Sequence, residues 1–428
     1  MSTNKKMIFT SADIMLPKQG IDMSKWSVVA CDQYTSERAY WEAVEREVGE
    51  ERSTLKLVFP EIYLEDEGFE QRIHGISNTM KQYLADDIFD TFHNCFIYVK
   101  RELANKQVRH GIMGKIDLES YDYLNGGKLP IRATEGTVLE RIPPRVRVRE
   151  KCQLELPHVM LLIDDETCSI IETIANKKEN LEKVYDFTLM QESGSMQGYL
   201  LDDACVQILQ DGLANLMDQD AFCAKYDTDC EDVLVFAVGD GNHSLATAKK
   251  CYEDLKAQIG EKALESKARY ALVELVNLHD QSLEFEAIHR VVFDVDTQHM
   301  KEELNKQFHL NSSNTLEEND FVMIINDVRE GFVIEHPESN LAVGDLQKFI
   351  DHYMKTYGGR VDYIHGEDVT QKLCEEDDQA VGFLLSCMDK SELYKTVLTD
   401  GSLPRKTFSM GEACDKRFYL ETRLVKGI

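Results

Sequence analysis

The fold is decided by residues 233–251, which read V-L-V-F-A-V-G-D-G-N-H-S-L-A-T-A-K-K-C. The first six residues are apolar and rich in β-branched types, which is typical of a strand buried on both faces. The glycines that follow predict a tight turn, because glycine adopts backbone angles that other residues avoid. Apolar residues then recur at helical spacing as far as Gly260, which predicts a helix that ends there. The stretch therefore predicts a strand, a glycine turn and a helix in direct succession.

A ligand site at this turn is the functional interpretation. The turn and the helix start leave backbone N–H groups without acceptors inside the helix, which suits a phosphate or carboxylate oxygen. Asp240 and His243 would add a carboxylate and an imidazole for metal binding or proton transfer. The residues that would form the rest of the cradle are Gly239, Gly241, Asn242 and Ser244.

The alternative is a plain turn without a ligand. Asp and Asn are ordinary turn and cap residues, and a histidine near a helix start is usually just solvated or hydrogen-bonded. The glycine spacing is not G-x-G-x-x-G and no G-K-[ST] follows, so the sequence has neither a Rossmann fingerprint nor a P-loop at this turn.

The composition predicts a soluble, cytoplasmic protein with no nucleic-acid or membrane partner. The 77 acidic residues against 48 basic ones give a formal charge of -29, and this field would repel a phosphate backbone or an anionic membrane. The 11 cysteines contain no C-x-x-C pair, which favours free thiols in a reducing compartment. The sequence also lacks a signal-peptide core and an apolar run long enough to span a membrane. It leaves the oligomeric state open.

The order of the predicted elements indicates an α+β or mixed α/β fold with a central mixed sheet. Residues 95–101 and 109–118, for example, alternate well enough to be paired strands. At 428 residues the chain is long enough for two domains or more. We expect an N-terminal α/β region over 1–230 and a C-terminal α/β region over 231–428 that opens with the glycine turn. An interwoven arrangement of the two regions is the alternative.

The most basic part of this acidic chain is residues 132–149, where five arginines surround Pro143-Pro144. On a strand, Arg145, Arg147 and Arg149 would point to one face. The guanidinium groups of these arginines and of Arg132 would each donate a pair of hydrogen bonds to phosphate oxygens. A solvated edge strand with salt bridges explains the same pattern equally well.

Five segments, in chain order, carry a further pattern. They are V-V-A-C-D-Q-Y at 28–34, T-E-G-T at 134–137 ahead of Pro143-Pro144-Arg145, D-G-N-H-S at 240–244, the run 280–290 that ends in His289-Arg290, and P-R-K-T at 404–407. They resemble V-V-A-P-P-Y-D, H-E-x-T, D-G-H-H-R, D-x-x-L-x-x-x-x-x-H-R and P-x-K-[ST] of the domain-of-unknown-function 1015 family. Members of this family are cytoplasmic proteins widespread in bacteria.

The family's glycine turn is similar to one in the ParB/sulfiredoxin-like superfamily, which includes partition proteins, sulfiredoxin and ADP-dependent kinases of free serine. This resemblance implies a ParB/sulfiredoxin-like core and a turn that holds nucleotide phosphates. Asp240 would bind Mg²⁺ or accept a hydroxyl proton, and Glu135 would be a second carboxylate. The remaining ligand-binding residues would be Arg132, Arg145, His289, Arg290 and Lys406.

Two functions stay open. The first is phosphoryl transfer to a small hydroxylated metabolite, with Mg²⁺ and an adenine nucleotide as cofactors, because this reaction needs mainly positioning and charge neutralisation. The second is a non-catalytic regulatory protein that binds a nucleotide or metabolite. The second is favoured by Asn242 and Ser244, because the family has a histidine and an arginine at these two positions.

Overall fold

The computed structural model describes residues 7–64, 66–124, 126–137, 139–228 and 232–426. Its described residues divide into two compact units, each of which combines helices with sheets, and this confirms the predicted α+β class. Unit 1 holds the described residues of 1–133, 137–283 and 412–428, and unit 2 holds those of 134–136 and 284–411.

The expected boundary between residues 230 and 231 falls inside unit 1, and each unit includes residues from both sides of it. Strand pairing is the reason, because Phe236–Asp240 lies between Ile131–Ala133 and Met160–Ile163 in one sheet. The two units are therefore not successive stretches of the chain.

Unit 1 contains most of the strands and helices that the structure describes. Its strands are β1 (Phe9–Thr10), β2 (Ala12–Pro17), β3 (Phe89–Cys95), β4 (Ile97–Glu102), β5 (Val108–Asp117), β6 (Tyr121–Asp122), β7 (Ile131–Ala133), β8 (Leu154–Glu155), β9 (Met160–Ile163), β10 (Glu182–Thr188), β11 (Ser195–Leu200), β12 (Phe236–Asp240) and β13 (Tyr270–Asn277). Its helices are α1 (Met23–Trp26), α2 (Arg38–Val48), α3 (Phe69–Ala85), α4 (Ile142–Arg149), α5 (Ile171–Ala175), α6 (Asp203–Leu216), α7 (Gln219–Tyr226) and α8 (Asn242–Ile259).

A ten-stranded mixed sheet dominates the described part of unit 1, in the order β10-β11-β4-β5-β13-β9-β12-β7-β6, with β1 paired to β5. Strand β12 lies inside this sheet, antiparallel to β9 and parallel to β7. Phe236, Ala237 and Val238 are buried, as expected for a strand that is covered on both faces. The antiparallel pairing of β4 with β5 confirms the predicted strand pair as well.

The predicted strand, turn and helix are all present. Strand β12 ends at Asp240, Gly241 follows with φ of +79°, and α8 runs from Asn242 to its C-cap at Gly260. A register shift between Val238 and Asp240 places Gly239 at an irregularity of the pairing with β9. The local sequence pattern is therefore sufficient to predict this part of the fold.

The Gly241→Ala substitution is expected to lower the free energy of unfolding of unit 1 by about 1–3 kcal/mol, since it combines a left-handed backbone with a close approach. A Cβ atom on Gly241 would lie 3.0 Å from Val159 Cα and 3.3 Å from His158 Cδ2. Urea unfolding measures the loss. Gly260→Ala is the matched control, because Gly260 also has a positive φ (+65°) but no atom within 4 Å of a Cβ. Equal losses in the two variants would contradict the role of the close approach.

Residues 142–149 of the basic segment form helix α4, and the expectation of a strand with three aligned arginines is wrong. Pro143 and Pro144 stand at the helix start, where the missing N–H of proline removes no helical hydrogen bond. Residues four apart share a helix face, so Arg145 and Arg149 lie on one side and Arg147 on another. The alternation with valines indicated a strand, but the proline pair carried the stronger local signal.

Unit 2 is built around a second, smaller sheet. Its strands are β14 (Phe285–Phe293), β15 (His309–Leu310), β16 (Phe321–Ile325), β17 (Val328–Val333), β18 (Arg360–His365), β19 (Val381–Leu385) and β20 (Phe408–Met410). Its helices are α9 (Thr297–Gln307), α10 (Ala342–Tyr357), α11 (Glu367–Glu376) and α12 (Glu392–Thr399). The strand order is β15-β17-β16-β19-β14-β18, and β20 pairs with β14.

Residues 412–426 belong to unit 1 and end in strand β21 (Arg423–Leu424), which pairs with β8. This returning segment also bonds to the N-terminal part of unit 1. The Ala30 N–H donates to the Arg417 carbonyl at 2.9 Å, and the Tyr419 N–H donates to the Val28 carbonyl at 2.8 Å. The segment thereby fixes the backbone that leads into Cys31. None of the helices in the described residues has both the length and the apolar character needed to cross a membrane.

Candidate functional site

The glycine turn places six predicted site residues at the start of α8, namely Gly239, Asp240, Gly241, Asn242, His243 and Ser244. Asp240 Oδ1 accepts the Gly241 N–H at 2.8 Å, and Asp240 Oδ2 lies 3.7 Å from the Lys416 ammonium group. The Asn242 side-chain oxygen is buried, and no described residue donates a hydrogen bond to it. The turn therefore gathers a carboxylate, an ammonium group and the N–H groups of a first helical turn.

His158 reaches this turn through the pairing of β9 with β12. Asp240 is the register partner of Met160, so the two residues before Met160 lie next to Gly241. His158 Nε2 is 3.0 Å from Ser244 Oγ, and the His158 side chain is only 4% exposed. An imidazole that was not among the predicted site residues therefore lies beside the turn.

A chain of polar contacts continues from His158. The Asp32 carboxylate lies 3.4 Å from His158 Nε2, and the Tyr419 hydroxyl lies 2.8 Å from His158 Nδ1. The same hydroxyl is 3.0 Å from Cys31 Sγ and accepts the Cys31 N–H at 3.1 Å. The contacts link Asp32, His158, Tyr419 and Cys31, which we call the His158 cluster.

Burial and mutual attraction act in opposite directions on the charged pair of this cluster. Burial alone would raise the pKa of Asp32, but His158 holds that pKa well below its usual range. Burial alone would lower the pKa of His158, but the carboxylate of Asp32, with smaller contributions from Asp240 and Glu61, raises it. The cluster therefore favours a carboxylate next to an imidazolium.

The thiol and the phenol of the cluster stay neutral. Burial raises the pKa of Cys31, and the neighbouring Asp32 raises it further. Burial also raises the pKa of Tyr419. A neutral thiol is a poor nucleophile, so these contacts favour a structural role for Cys31.

A cavity of about 150 Å³ opens beside Ser244 and His158. Its lining is mainly apolar, but it includes Arg145, which is 14% exposed and donates a hydrogen bond to Glu61. Arg149, on the same face of α4, donates to Glu155. A second cavity of about 580 Å³ shares Arg149 with the first. Ser244 and Arg145 are therefore predicted site residues that line one cavity.

Arg132 lies outside the lining of this cavity. Its side chain is buried, its Nε donates to the Leu129 carbonyl at 2.9 Å, and its Nη2 donates to the Asp232 carbonyl at 2.6 Å. These contacts hold backbone segments together. A ligand-binding role for Arg132 stays a prediction.

Four further predicted site residues, Glu135, His289, Arg290 and Lys406, belong to unit 2. Glu135 forms a parallel bridge with Leu403. The buried Arg290 donates to the Lys406 carbonyl at 2.9 Å, and His289 Nδ1 accepts the Leu385 N–H at 3.2 Å. These contacts tie the backbone of unit 2 together, and a role of the four residues at the glycine turn stays a prediction.

His289 is expected to make unit 2 sensitive to acid. Burial, with Arg290 and His365 adding to it, lowers the pKa of His289 to about 4. As the pH falls from the usual histidine pKa to this value, the unfolded chain binds a proton that the folded chain refuses. The free energy of unfolding should therefore fall by about 3 kcal/mol over that interval. Urea unfolding followed by circular dichroism measures this slope.

The His289→Gln variant should lose the pH-dependent part of that stability. His309→Gln is the control, because the His309 side chain, also in unit 2, is 64% exposed. If wild type and His289→Gln show the same slope against pH, the buried neutral histidine is not the cause.

The group of three metal-ligating side chains in the described residues lies elsewhere in unit 1 and consists of Asp164, Glu166 and His279. The Lys225 ammonium group lies 2.8 Å from Asp164 and 3.0 Å from Glu166, so a cation already neutralises these carboxylates. Asp240 is not a member of this group. A single carboxylate can hold Mg²⁺ that is bound mainly through substrate phosphates. Since Lys416 lies 3.7 Å from Asp240, the binding of Mg²⁺ by Asp240 stays a prediction.

Sequence reasoning missed most of the residues that surround the turn, namely Asp32, Glu61, His158, Lys416 and Tyr419. Asp32 had a signal, because it lies in the V-V-A-C-D-Q-Y segment that carries the family resemblance. His158 belongs to none of the five resembling segments. The contacts of Tyr419 with Cys31 and His158 span 388 and 261 residues of sequence.

Comparisons with solved structures give distant likenesses. A free serine kinase in complex with AMP is 10% identical with a TM-score of 0.40, and the match covers 74% of this chain and 92% of that chain. A conserved hypothetical protein from Pyrococcus furiosus is 11% identical with a TM-score of 0.38, with coverage of 75% and 97%. SbnI with C-terminal truncation from Staphylococcus aureus is 12% identical with a TM-score of 0.29, with coverage of 60% and 82%. These scores are too low to carry an argument, and the ParB/sulfiredoxin-like core stays a prediction.

The sequence comparisons are more decisive. No curated protein is similar enough to match this chain. Residues 15–353 match the family model described as "Protein of unknown function (DUF1015)". This match spans well over half of the chain and includes the glycine turn and three further resembling segments, while the segment at 404–407 lies outside it. The protein belongs to the DUF1015 family.

Proposed function

We propose that unit 1 binds an adenine nucleotide at the glycine turn and transfers a phosphoryl group to the hydroxyl of a small metabolite. One observation carries this proposal: the start of α8, the Asp240–Lys416 ion pair and the Asp32–His158 pair meet at the turn. The arrangement offers N–H donors, fixed positive charge and a carboxylate, which are the parts that phosphoryl transfer needs. The cytoplasmic location that the composition predicts would give the protein access to a small metabolite.

The first turn of α8 would hold the phosphate groups. Its N–H groups have no acceptors within the helix, and the helix dipole adds partial positive charge at the same end. Gly241 allows the backbone to turn tightly in front of the helix. The Lys416 ammonium group, which is 15% exposed, adds a full positive charge.

The carboxylate of Asp240 would hold Mg²⁺, which neutralises charge on phosphate oxygens when it is bound. The imidazolium of His158 would stabilise negative charge on the transferred group, as fixed donors do in other transfer reactions. In the transfer, the acceptor oxygen bonds to phosphorus and the bond from phosphorus to the bridging oxygen breaks, with its electrons left on the nucleotide. The hydroxyl proton passes to Asp32, whose lowered pKa keeps it ionised.

The alternative proposal is a regulatory protein that binds the same ligands without chemistry. Ser244 Oγ lies 3.0 Å from His158 Nε2, so a hydroxyl group is engaged where the family pattern has an arginine. A site without that guanidinium keeps the N–H donors for binding but has fewer groups that stabilise a transition state.

A thermal-shift series with ADP and ATP, each with and without Mg²⁺, tests both proposals together with phosphorus NMR. Both tryptophans of the chain, Trp26 and Trp41, are buried in the core of unit 1, so tryptophan fluorescence reports this unit. Saturating nucleotide at about 100 times its Kd should stabilise unit 1 by about 2.7 kcal/mol. New phosphorus signals with hydroxylated compounds would support transfer, and stabilisation without them would support the regulatory protein. No stabilisation by any nucleotide would contradict both.

The Asp240→Asn variant should lose the Mg²⁺-dependent part of the nucleotide stabilisation and keep the part that the N–H groups supply. The matched control is Asp254→Asn, on helix α8, where Asp254 forms a half-exposed ion pair with Lys250 at 2.6 Å. An unchanged Mg²⁺ effect in Asp240→Asn would remove Asp240 from the metal site.

A further inference from the structure

We infer that the cavity beside Ser244 binds the acceptor, and that the acceptor is a short hydroxycarboxylate whose carboxylate contacts Arg145 and whose hydroxyl lies near His158. The assignment of this ligand as an acceptor rests on the proposed phosphoryl transfer. The binding of this ligand does not rest on phosphoryl transfer, because it is argued from the residues of unit 1 that line the cavity.

Two arginines line one wall of the cavity. Arg145 and Arg149 are four residues apart on α4, and their side chains are 14% and 24% exposed. Each donates to one carboxylate, Glu61 or Glu155. A guanidinium carries five N–H donors in a planar fork that matches a carboxylate. Arg145 uses two of its nitrogens for Glu61 and a backbone carbonyl, so it retains donors for a ligand.

The balance of charge around the cavity favours a monoanion. The cationic groups that line the cavity are His158, Arg145 and Arg149, and the carboxylates that line it are Glu61 and Glu155. Lys416 and Asp240 balance each other. With His158 protonated, one positive charge exceeds the negative charge in a region largely shielded from water. Shielded charge is costly unless a partner compensates it, and the carboxylate of a ligand would be that partner.

The size and lining of the cavity favour a short carbon chain. A volume of about 150 Å³ is smaller than the sites of drug-sized ligands, which range over about 300–1,000 Å³. It therefore suits a molecule of on the order of six to ten heavy atoms better than a nucleotide. Most of the lining is hydrocarbon, including Leu57, Val58 and Phe59, and this would contact the carbon atoms between carboxylate and hydroxyl.

The hydroxyl group of the ligand has a defined place near His158. Ser244 Oγ and the Asp32 carboxylate lie 3.0 Å and 3.4 Å from the same nitrogen, His158 Nε2. A ligand hydroxyl that joins or replaces Ser244 there would donate to Asp32 and accept from His158. Transfer at this point would leave a phosphate ester of the hydroxycarboxylate as the product.

Calorimetric titration of the full chain without nucleotide tests the ligand assignment. The probes are 3-hydroxypropanoate, propanoate, which lacks the hydroxyl, and propan-1-ol, which lacks the carboxylate. We expect 3-hydroxypropanoate to bind about tenfold more tightly than propanoate, the ratio that one additional hydrogen bond of about 1.4 kcal/mol gives. Propan-1-ol should give no measurable heat. Equal affinity for all three probes, or no binding by 3-hydroxypropanoate, would overturn the inference.

Variants of the arginine wall add a second test. Arg145→Gln alone leaves Glu61 shielded and unpaired and could fail to fold, so the double variant Glu61→Gln with Arg145→Gln is the informative one. It should lose at least tenfold in affinity for 3-hydroxypropanoate. The matched control is Arg147→Gln, two residues along α4, where Arg147 is 56% exposed and pairs with Glu70. Full affinity in the double variant would overturn the role of Arg145.

The two proposals fail in different ways. Binding of 3-hydroxypropanoate with no effect of any nucleotide would support the ligand assignment and overturn phosphoryl transfer. Nucleotide-dependent stabilisation without 3-hydroxypropanoate binding would do the reverse. Phosphorus NMR of the ternary mixture then reports a new ester signal only if both proposals hold.

Discussion

The Arg417→Met substitution is expected to lower the free energy of unfolding of unit 1 by about 3–5 kcal/mol, the cost of removing one partner from a buried ion pair. Arg417 is 1% exposed and donates to both Glu274 and Glu421, which are themselves no more than 1% exposed. Its Nε also donates to the Pro157 carbonyl at 3.3 Å. Without the guanidinium, two carboxylates would be buried with no cation between them. A loss of this size is a large fraction of the stability of a typical domain.

Urea unfolding followed by tryptophan fluorescence measures this loss. The signal reports unit 1, because both tryptophans are buried in its core.

Two controls separate charge burial from packing. Adding Glu274→Gln and Glu421→Gln to Arg417→Met removes the buried charges and should recover much of the loss. Arg38→Met breaks an exposed bidentate pair with Asp66 and should cost no more than about 1 kcal/mol. If Arg417→Met is as stable as Arg38→Met, the buried ion pairs do not stabilise the unit.

The Asp32→Asn substitution is expected to reduce phosphoryl transfer by about 10²–10⁴-fold, the usual contribution of a positioned proton acceptor. The substitution should also shift the dependence of the transfer rate on pH. Asp32 raises the pKa of His158 against the effect of burial, so without Asp32 burial alone would lower that pKa. The activity requires the imidazolium, and its loss at high pH should therefore begin at a lower pH in the variant. Initial rates between about pH 5 and pH 9 measure both effects, since that range brackets the usual histidine pKa.

The Asp164→Asn variant is the matched control for this change. Asp164 is another aspartate of unit 1 that bonds to a histidine, His279, at 2.6 Å, but neither residue lines the cavity. It should alter stability and leave the pH profile of the activity unchanged. If Asp32→Asn lowers the rate equally at every pH, Asp32 does not act through the charge of His158.

The part of the fold that the sequence could predict is the part set by local pattern. The apolar strand, the glycines and the helical spacing that follows are read within some thirty residues, and β12, Gly241 and α8 confirm them. Helix α4 shows the limit of that method. Its Arg-Val alternation fits a strand, and only Pro143-Pro144 indicated a helix start.

Only the residues of the candidate site that are adjacent in sequence could be predicted. The turn residues were identified because they are adjacent in sequence, whereas His158 joins them through the register of β9 against β12. Tyr419 joins through a segment that follows all of unit 2. The spacing of apolar residues and the composition carry no information on such long-range pairs. Only Cys31 and Asp32 in the His158 cluster had a signal, because both lie in the V-V-A-C-D-Q-Y segment that carries the family resemblance.

The position of residues 412–426 in unit 1 has a consequence for how the protein is made. A ribosome adds residues from the N-terminus onward, so all of unit 2 emerges before Lys416, Arg417 and Tyr419 do. A nascent chain that stops short of residue 412 has Glu274 without its guanidinium and His158 without the Tyr419 hydroxyl. Unit 1 therefore acquires the ion pairs of Arg417 and its complete cavity only late in synthesis. An incomplete translation product would carry the glycine turn without the surroundings that give it a ligand.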